Sequence, residues 1–202
     1  MKEEVLDMKK TKQNNMMLVI VMFVIVIGVA IGFWSIMQNS RANKNKEQAS
    51  TNEEVCSILD KDFENNYPGT PREVVKLYSR ITTCIYNQAG EEDRRKLVEK
   101  MRQLFDEELL AENPLEEQLE DLEGELKEFR TNKNIISSYT VDNNSSVVKE
   151  KINEKQCASL RVSYLIQDGK SGSYTKSVER FILREDENKN WKIYGWKPAE
   201  EE

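Results

Sequence analysis

Three cysteines, Cys56, Cys84 and Cys157, carry the most versatile side-chain chemistry in this 202-residue sequence. None of them lies in a C-x-x-C pair, so neither a dithiol redox centre nor a thiolate zinc site is indicated. In an oxidising compartment Cys56 and Cys84 could form a disulfide, whereas isolated cysteines are more often buried free thiols. We therefore expect free thiols, with the Cys56–Cys84 bridge as the alternative.

Histidine is absent from the chain. Its absence excludes histidine-based nucleophilic triads, imidazole acid–base catalysis and histidine metal ligands together. The sequence also contains no recognisable nucleophile motif or metal-ligand cluster. We therefore expect no catalytic residues, no cofactor and no metal, and a protein that is not an enzyme.

The charge balance is acidic, with 30 Lys and Arg against 36 Asp and Glu and a net charge of −6. A nucleic-acid-binding protein needs clustered basic residues, so nucleic acid is not an expected partner. The acidic residues are densest in Leu104–Phe129. A solvated helix face is the simpler interpretation of this stretch, and a docking surface for a basic partner is the alternative.

An uncharged apolar segment runs from Met16 to Met37. As a helix it would span roughly 33 Å, enough to cross a hydrocarbon core of about 30 Å. A cleavable signal peptide has a shorter apolar stretch and a small-residue cleavage site, and neither feature is evident here. The sequence therefore predicts an uncleaved, single-pass transmembrane helix.

The flanking charges predict the orientation of this helix. Cytoplasmic flanks are enriched in Lys and Arg. Four lysines precede the apolar segment and three basic residues follow it closely: Lys2, Lys9, Lys10 and Lys12, then Arg41, Lys44 and Lys46. We predict a cell-membrane protein with its N-terminus in the cytoplasm and its C-terminal domain outside.

The chain then divides into a short cytoplasmic segment (1–15), the transmembrane helix (16–37), a polar linker (38–50), an extracytoplasmic domain (51–198) and an acidic tail (199–202). A flexible linker of this length spans about 20 Å root-mean-square. The domain should therefore stay close to the membrane, where a membrane or envelope protein is the expected partner.

A helix start is encoded at Thr70–Pro71, within the stretch NYPGTPREVVKLYSRI. Thr70 is a good N-cap, Pro71 suits the first helical position, and Glu73 can reach back to the cap amide in a capping box. The helix should continue to about residue 88, with its apolar residues on one face.

Three further helices are predicted from apolar spacing. The first begins near Ser50 or Thr51, and the third begins after the break at NQAG. The fourth begins after Pro114 and is expected to pack on a sheet; its leucine spacing also fits a coiled coil, the alternative, but lasts only about two heptads where three or four are needed. Their apolar positions are Val55, Ile58, Leu59 and Phe63; Leu97, Met101, Leu104 and Phe105; and Leu115, Leu119, Leu122, Leu126 and Phe129.

After Asn132 the sequence is rich in Val, Ile, Tyr, Ser and Thr, in runs separated by short polar turns. In one run, Ala158, Leu160, Val162 and Tyr164 alternate with polar residues, which predicts a half-buried antiparallel strand. Short turns between consecutive strands favour a meander. The predicted fold class is α+β, with helices over about 51–132 and a bent antiparallel sheet over about 134–197.

Helices followed by a sheet whose last hairpin reads ERFILREDENKNWKIYGW resemble the cone-shaped nuclear transport factor 2-like fold. The stretches NYPGTPREVVKLYSRI, LFDEELL and WKIYGWKP also resemble a family of small bacterial single-pass membrane proteins catalogued as a domain of unknown function. This resemblance covers about Glu53 to Pro198 and transfers no catalytic residue.

The resemblance implies a concave sheet face lined by aromatic residues, and the candidate contact residues are Tyr78, Tyr164, Trp191 and Trp196. Plain core packing is the simpler interpretation of these residues, with a ligand pocket as the alternative. Some proteins of this fold are isomerases or dehydratases that use a carboxylate deep in the cone. The strand carboxylates Glu150 and Glu179 are the candidates here, and a raised pKa would mark a buried one.

The sequence thus predicts a membrane-anchored binding or scaffold module. One similar architecture is the bitopic scaffold subunit of type IV secretion machines, which joins a membrane helix to a domain of this fold. A small-ligand sensor and a carboxylate-dependent isomerase or dehydratase are the alternatives, because a fold does not fix a function.

Overall fold

Residues 53–87, 89–152 and 154–199 are described by the structure, a computed structural model. The predicted cytoplasmic segment, transmembrane helix and linker (1–50) lie outside these ranges, and so does most of the acidic tail. Within the described ranges, no helix combines the length and the apolar character needed to cross a membrane.

Helices come first along the described chain. A short helical stretch covers residues 53–59. It is followed by α1 (Pro71–Asn87), α2 (Glu91–Arg102), α3 (Glu107–Glu112) and α4 (Leu115–Thr131).

The start of α1 lies where the sequence predicts it. The Glu73 amide donates to the Thr70 hydroxyl oxygen at 3.2 Å, and the Val74 amide donates to the Thr70 carbonyl at 3.1 Å. The Glu73 carboxylate accepts from the Thr70 hydroxyl at 3.0 Å. Thr70 and Glu73 therefore support each other as in a capping box, although Glu73 bonds to the cap hydroxyl where the prediction had the cap amide.

The end of α2 differs from the prediction. Leu104 and Phe105 were expected on the apolar face of this helix, but α2 ends at Arg102. The Ile193 amide donates to the Leu104 carbonyl and the Asp106 amide donates to the Ile193 carbonyl, each at 2.8 Å. Both predicted residues are buried, but they reach the core through this strand-like pairing, which overrides their helical spacing.

Helix α4 is anchored through the other helices. Glu123 pairs with Arg94 of α2 at 2.8 Å, and Phe129 contacts the Tyr86 ring of α1 with centroids 5.1 Å apart. Leu126 and Phe129 are buried, whereas the first three leucines of its stripe, Leu115, Leu119 and Leu122, are half-buried.

Five strands follow in one antiparallel sheet: β1 (Ile135–Val141), β2 (Val148–Ile152), β3 (Lys155–Gln167), β4 (Tyr174–Glu185) and β5 (Trp191–Pro198). The strand order is β1-β3-β4-β5, and β2 also pairs with β3. The α+β class with an antiparallel sheet is confirmed. The simple meander is wrong at β1, because the 13-residue β3 is long enough to pair with both β1 and β2 along one edge.

The register defines an inner face that packs on the helices. Leu160 lies opposite Phe181, and Val162 lies opposite Glu179. Phe181 lies opposite Trp196 on the next strand. Irregularities between Ile136 and Ser138 and between Ile182 and Leu183 interrupt the register, and such bulges bend a sheet.

At the edge of β1 that pairs with no described strand, a side chain of α1 binds the backbone of one residue. The Asn87 amide nitrogen donates to the Ile136 carbonyl at 3.0 Å, and the Asn87 oxygen accepts from the Ile136 amide at 2.9 Å. A single side chain thus satisfies both backbone groups that another strand would otherwise bind.

All three cysteines are free thiols. Cys84 and Cys157 are buried, as expected for unpaired thiols, and Cys56 is exposed. The alternative of a Cys56–Cys84 disulfide is therefore wrong for this structure.

Candidate functional site

One face of α1 carries hydroxyl-bearing side chains into the protein interior. Tyr78, Thr82 and Tyr86 follow each other at intervals of four residues, which places them on one side of a helix. All three are buried. The other buried residues of this helix are mostly apolar, so these three side chains bring hydroxyl groups into a core that is otherwise apolar.

Aromatic rings fill the space between this face and the sheet. The Tyr78 ring lies 5.1 Å from the Phe181 ring and 5.2 Å from the Trp196 ring, centroid to centroid. Phe181 and Trp196 stack at 5.5 Å, and Phe105 contacts both Tyr78 and Trp196. Such offset and edge contacts are typical of a packed aromatic core.

Glu179 of β4 enters this core from the sheet. It lies two residues before Phe181 on the same inner face of the strand, and only 6% of its surface is exposed. Burial, and to a smaller extent the negative charge of Glu125, raise its pKa to about 7. Among the described residues the Glu179 carboxyl has no hydrogen-bond partner. It is therefore a carboxyl group that exchanges a proton near neutral pH.

Glu125 of α4 is the second carboxyl group of the cluster. It accepts a 2.5 Å hydrogen bond from the Tyr86 hydroxyl. Burial and the negative charge of Asp121 raise its pKa to about 7, against the opposing effect of this hydrogen bond. Two carboxyl groups from different elements thus share one region of low polarity and interact through their charges.

The hydroxyl groups near them stay neutral. Burial raises the pKa of Tyr78, Tyr86 and Tyr164 well above the usual range of a phenol. Ser79 donates to the Val75 carbonyl at 2.9 Å, so the Tyr164 hydroxyl, 3.0 Å away, must donate to Ser79. Among the residues that the structure describes, the buried Thr82 hydroxyl has no hydrogen-bond partner of normal geometry.

A small cavity adjoins the cluster. Its lining includes Tyr78, Thr82, Tyr86, Glu125 and Trp196, and its volume is about 30 Å³. That volume holds about one or two water molecules. The arrangement can therefore bind water and exchange protons, whereas a substrate would require α4 to move.

The structure brings together three of the four candidate aromatic residues. Tyr78 and Trp196 are in contact, and Tyr164 belongs to the same buried cluster through its charge interactions with Tyr78 and Glu179. Trp191 is also buried, but it contacts other residues: the Lys149 ammonium lies 5.4 Å from its ring, and the Tyr67 hydroxyl donates to its carbonyl at 3.0 Å.

The two candidate carboxylates, Glu150 and Glu179, differ in burial. Glu150 is exposed on β2, whereas Glu179 is buried with the raised pKa that marks an interior carboxyl group. Sequence reasoning missed Thr82, Tyr86 and Glu125. The four-residue spacing of Tyr78, Thr82 and Tyr86 was a usable signal, but Glu125 resembles the many solvated acids of its helix.

Comparison with known proteins shows the family but no characterised relative. No curated protein matches this chain. The family model described as "Domain of unknown function (DUF6715)" matches residues 8–196. The match covers most of the sequence, and it confirms the predicted resemblance to a family of unknown function. The chain belongs to this family.

Proposed function

We propose that this protein is a membrane-anchored, extracytoplasmic binding or scaffold module without catalytic activity of its own. The packed interior carries the proposal. Tyr78, Phe181 and Trp196 fill the space beneath the helices, and the adjoining cavity of about 30 Å³ is too small for a substrate. The outer surface of the domain would then carry the binding site for a partner.

Sequence features support the location of the module. The apolar segment 16–37 is long enough for an anchor, and the polar linker 38–50 would hold the domain about 20 Å from the bilayer. We infer further that the domain has the nuclear transport factor 2-like cone fold and that the protein is a bacterial single-pass membrane protein. The proposed partner is a membrane or envelope protein.

Cross-linking in cells tests this function. Full-length protein should capture one recurrent membrane or envelope protein, and replacing Met16–Met37 by a cleavable signal should reduce that capture. Releasing the tether lowers the local concentration of the domain at the membrane. Equal capture with and without the anchor, or no recurrent partner, would contradict the proposal.

A second candidate is a small-ligand sensor or a carboxylate-dependent isomerase or dehydratase. The observation that favours it is the pair Glu125 and Glu179, each with a pKa of about 7, beside neutral phenols. A general acid or base works best with a pKa near the operating pH. For this candidate, turnover of a small molecule by the purified protein should disappear in the Glu179→Gln variant and persist in the Glu150→Gln variant.

A further inference from the structure

We propose that the outer face of the sheet binds an acidic polypeptide segment of the partner, through a row of three cations formed by Arg161, Arg180 and Lys197. This inference rests on the proposed function, because it names the surface and the partner chemistry of the binding module. We call these three residues the cationic row.

The register creates the cationic row on three adjacent strands. Arg161 of β3 lies opposite Arg180 of β4, and Arg180 lies opposite Lys197 of β5. Residues that lie opposite each other project from the same face of a sheet. Their chain neighbours Leu160, Phe181 and Trp196 are buried on the inner face, so the row points outward.

Like charges directly opposite each other destabilise a sheet. Arg161 is paired with Asp142, at 3.3 Å from Nε to the carboxylate oxygen. Arg180 is half-buried and forms no ion pair within the described residues, and Lys197 is exposed. Within the described residues, the ion pair of Arg161 with Asp142 offsets part of the repulsion that Arg180 experiences from its neighbours, in a chain whose net charge is −6. An anionic partner would relieve that repulsion.

The pattern of β4 adds apolar contacts to the charges. On its outer face cations alternate with aliphatic side chains: Lys176, Val178, Arg180, Ile182 and Arg184. Ser159 and Gly195 lie opposite Ile182 on the two neighbouring strands, and Ser163 lies opposite Val178. Val178 is buried and Ile182 is half-buried, so the apolar surface beside the cationic row is that of Ile182, where the small neighbours Ser159 and Gly195 let a polypeptide segment approach closely.

The dimensions suit such a segment. Three adjacent strands place the row over about 10 Å. Seven residues of a helix rise roughly 10 Å, so carboxylates spaced three or four residues apart along one helix face match the three cations. An acidic amphipathic segment supplies both the carboxylates and the apolar contacts, whereas a second copy of this chain would bring its own cationic row to any symmetric pairing of these faces.

Binding of a fluorescein-labelled oligoglutamate peptide to the full chain, kept in neutral detergent, tests the inference. Fluorescence anisotropy should show saturable binding that weakens with salt, while an oligoglutamine peptide should not bind. The Arg180→Glu variant should bind about tenfold more weakly. Lys127→Glu, which changes an exposed residue of α4 and alters the net charge equally, should bind like wild type.

Several outcomes would overturn the proposal. Equal weakening in Arg180→Glu and Lys127→Glu would mean that only the net charge matters. Salt-sensitive self-association abolished by Arg180→Glu would identify a second copy as the occupant, and binding to anionic vesicles but not to oligoglutamate would identify a lipid surface. Failure to bind oligoglutamate while cross-linking still recovers a recurrent partner would remove this surface and leave the binding-module function standing.

Discussion

Glu179 shows how the position of one residue in a strand decides its chemistry. The alternation of β4 turns Arg180 to the outer face and Glu179 to the inner face, so adjacent charged residues have opposite environments. The arginine lies near water, whereas the glutamate lies among aromatic rings and retains its proton to about pH 7. Its place in a predicted strand made Glu179 one of two candidate carboxylates, but the sequence alone could not place it inside, because its burial depends on how β4 pairs with β3 and β5.

The buried glutamate predicts a pH-dependent stability. The folded-state pKa of Glu179 is raised from 4.5 to about 7, so its contribution is fully present below pH 4.5 and is lost as the pH rises through about 7. Urea unfolding should show wild-type stability falling over this window by at most about 3 kcal/mol from this residue. Glu179→Gln should flatten the fall, whereas Glu150→Gln, an exposed strand glutamate, should keep it. An unchanged slope in Glu179→Gln would show that its carboxyl is not buried as described.

At the scale of elements, local sequence signals predict the start of α1, whereas residues far along the chain determine the end of α2 and the pairing of β1. Thr70, Pro71 and Glu73 lie within four residues, so the helix start could be predicted from the sequence alone. Phe105 has apolar spacing consistent with α2, yet it pairs with Ile193 far along the chain. Single-sequence spacing does not contain that partner, and the same reason hid the pairing of β1 with β3.

The two hydrogen bonds between the Asn87 side chain and the Ile136 backbone join α1 to β1, and mutation can test their contribution. Asn87→Asp keeps the shape and the acceptor of the side chain but replaces the donor by a carboxylate facing the Ile136 carbonyl. We expect a loss of about 1–3 kcal/mol of unfolding free energy, together with faster amide exchange at Ile136. The same change at the exposed Asn188, which makes no side-chain hydrogen bond within the described residues, is the matched control. Equal effects at both positions would indicate a general effect of added negative charge.

At the scale of the whole molecule, the prediction of a single crossing with the N-terminus inside rests on residues outside the described ranges. A phosphatase reporter that is active only outside the cytoplasm should be active when fused after Pro198. A reporter that works only in the cytoplasm should be silent at the same position. The reverse pattern would place the domain in the cytoplasm and exclude an envelope partner.

The described residues also predict that the domain folds without the N-terminal segment. Ile58, Ile81, Leu97, Leu160 and Ile193 are all fully buried, and they come from helices and strands distributed along the whole domain. A protein starting at Ser50 should therefore be soluble and should unfold in one cooperative transition, measured by circular dichroism in urea. Its unfolding midpoint should equal that of the full chain in detergent, because the predicted linker is expected to contribute no packing to the domain. A lower midpoint, or aggregation that only the full chain avoids, would mean that the segment before Ser50 packs on the domain and does more than tether it.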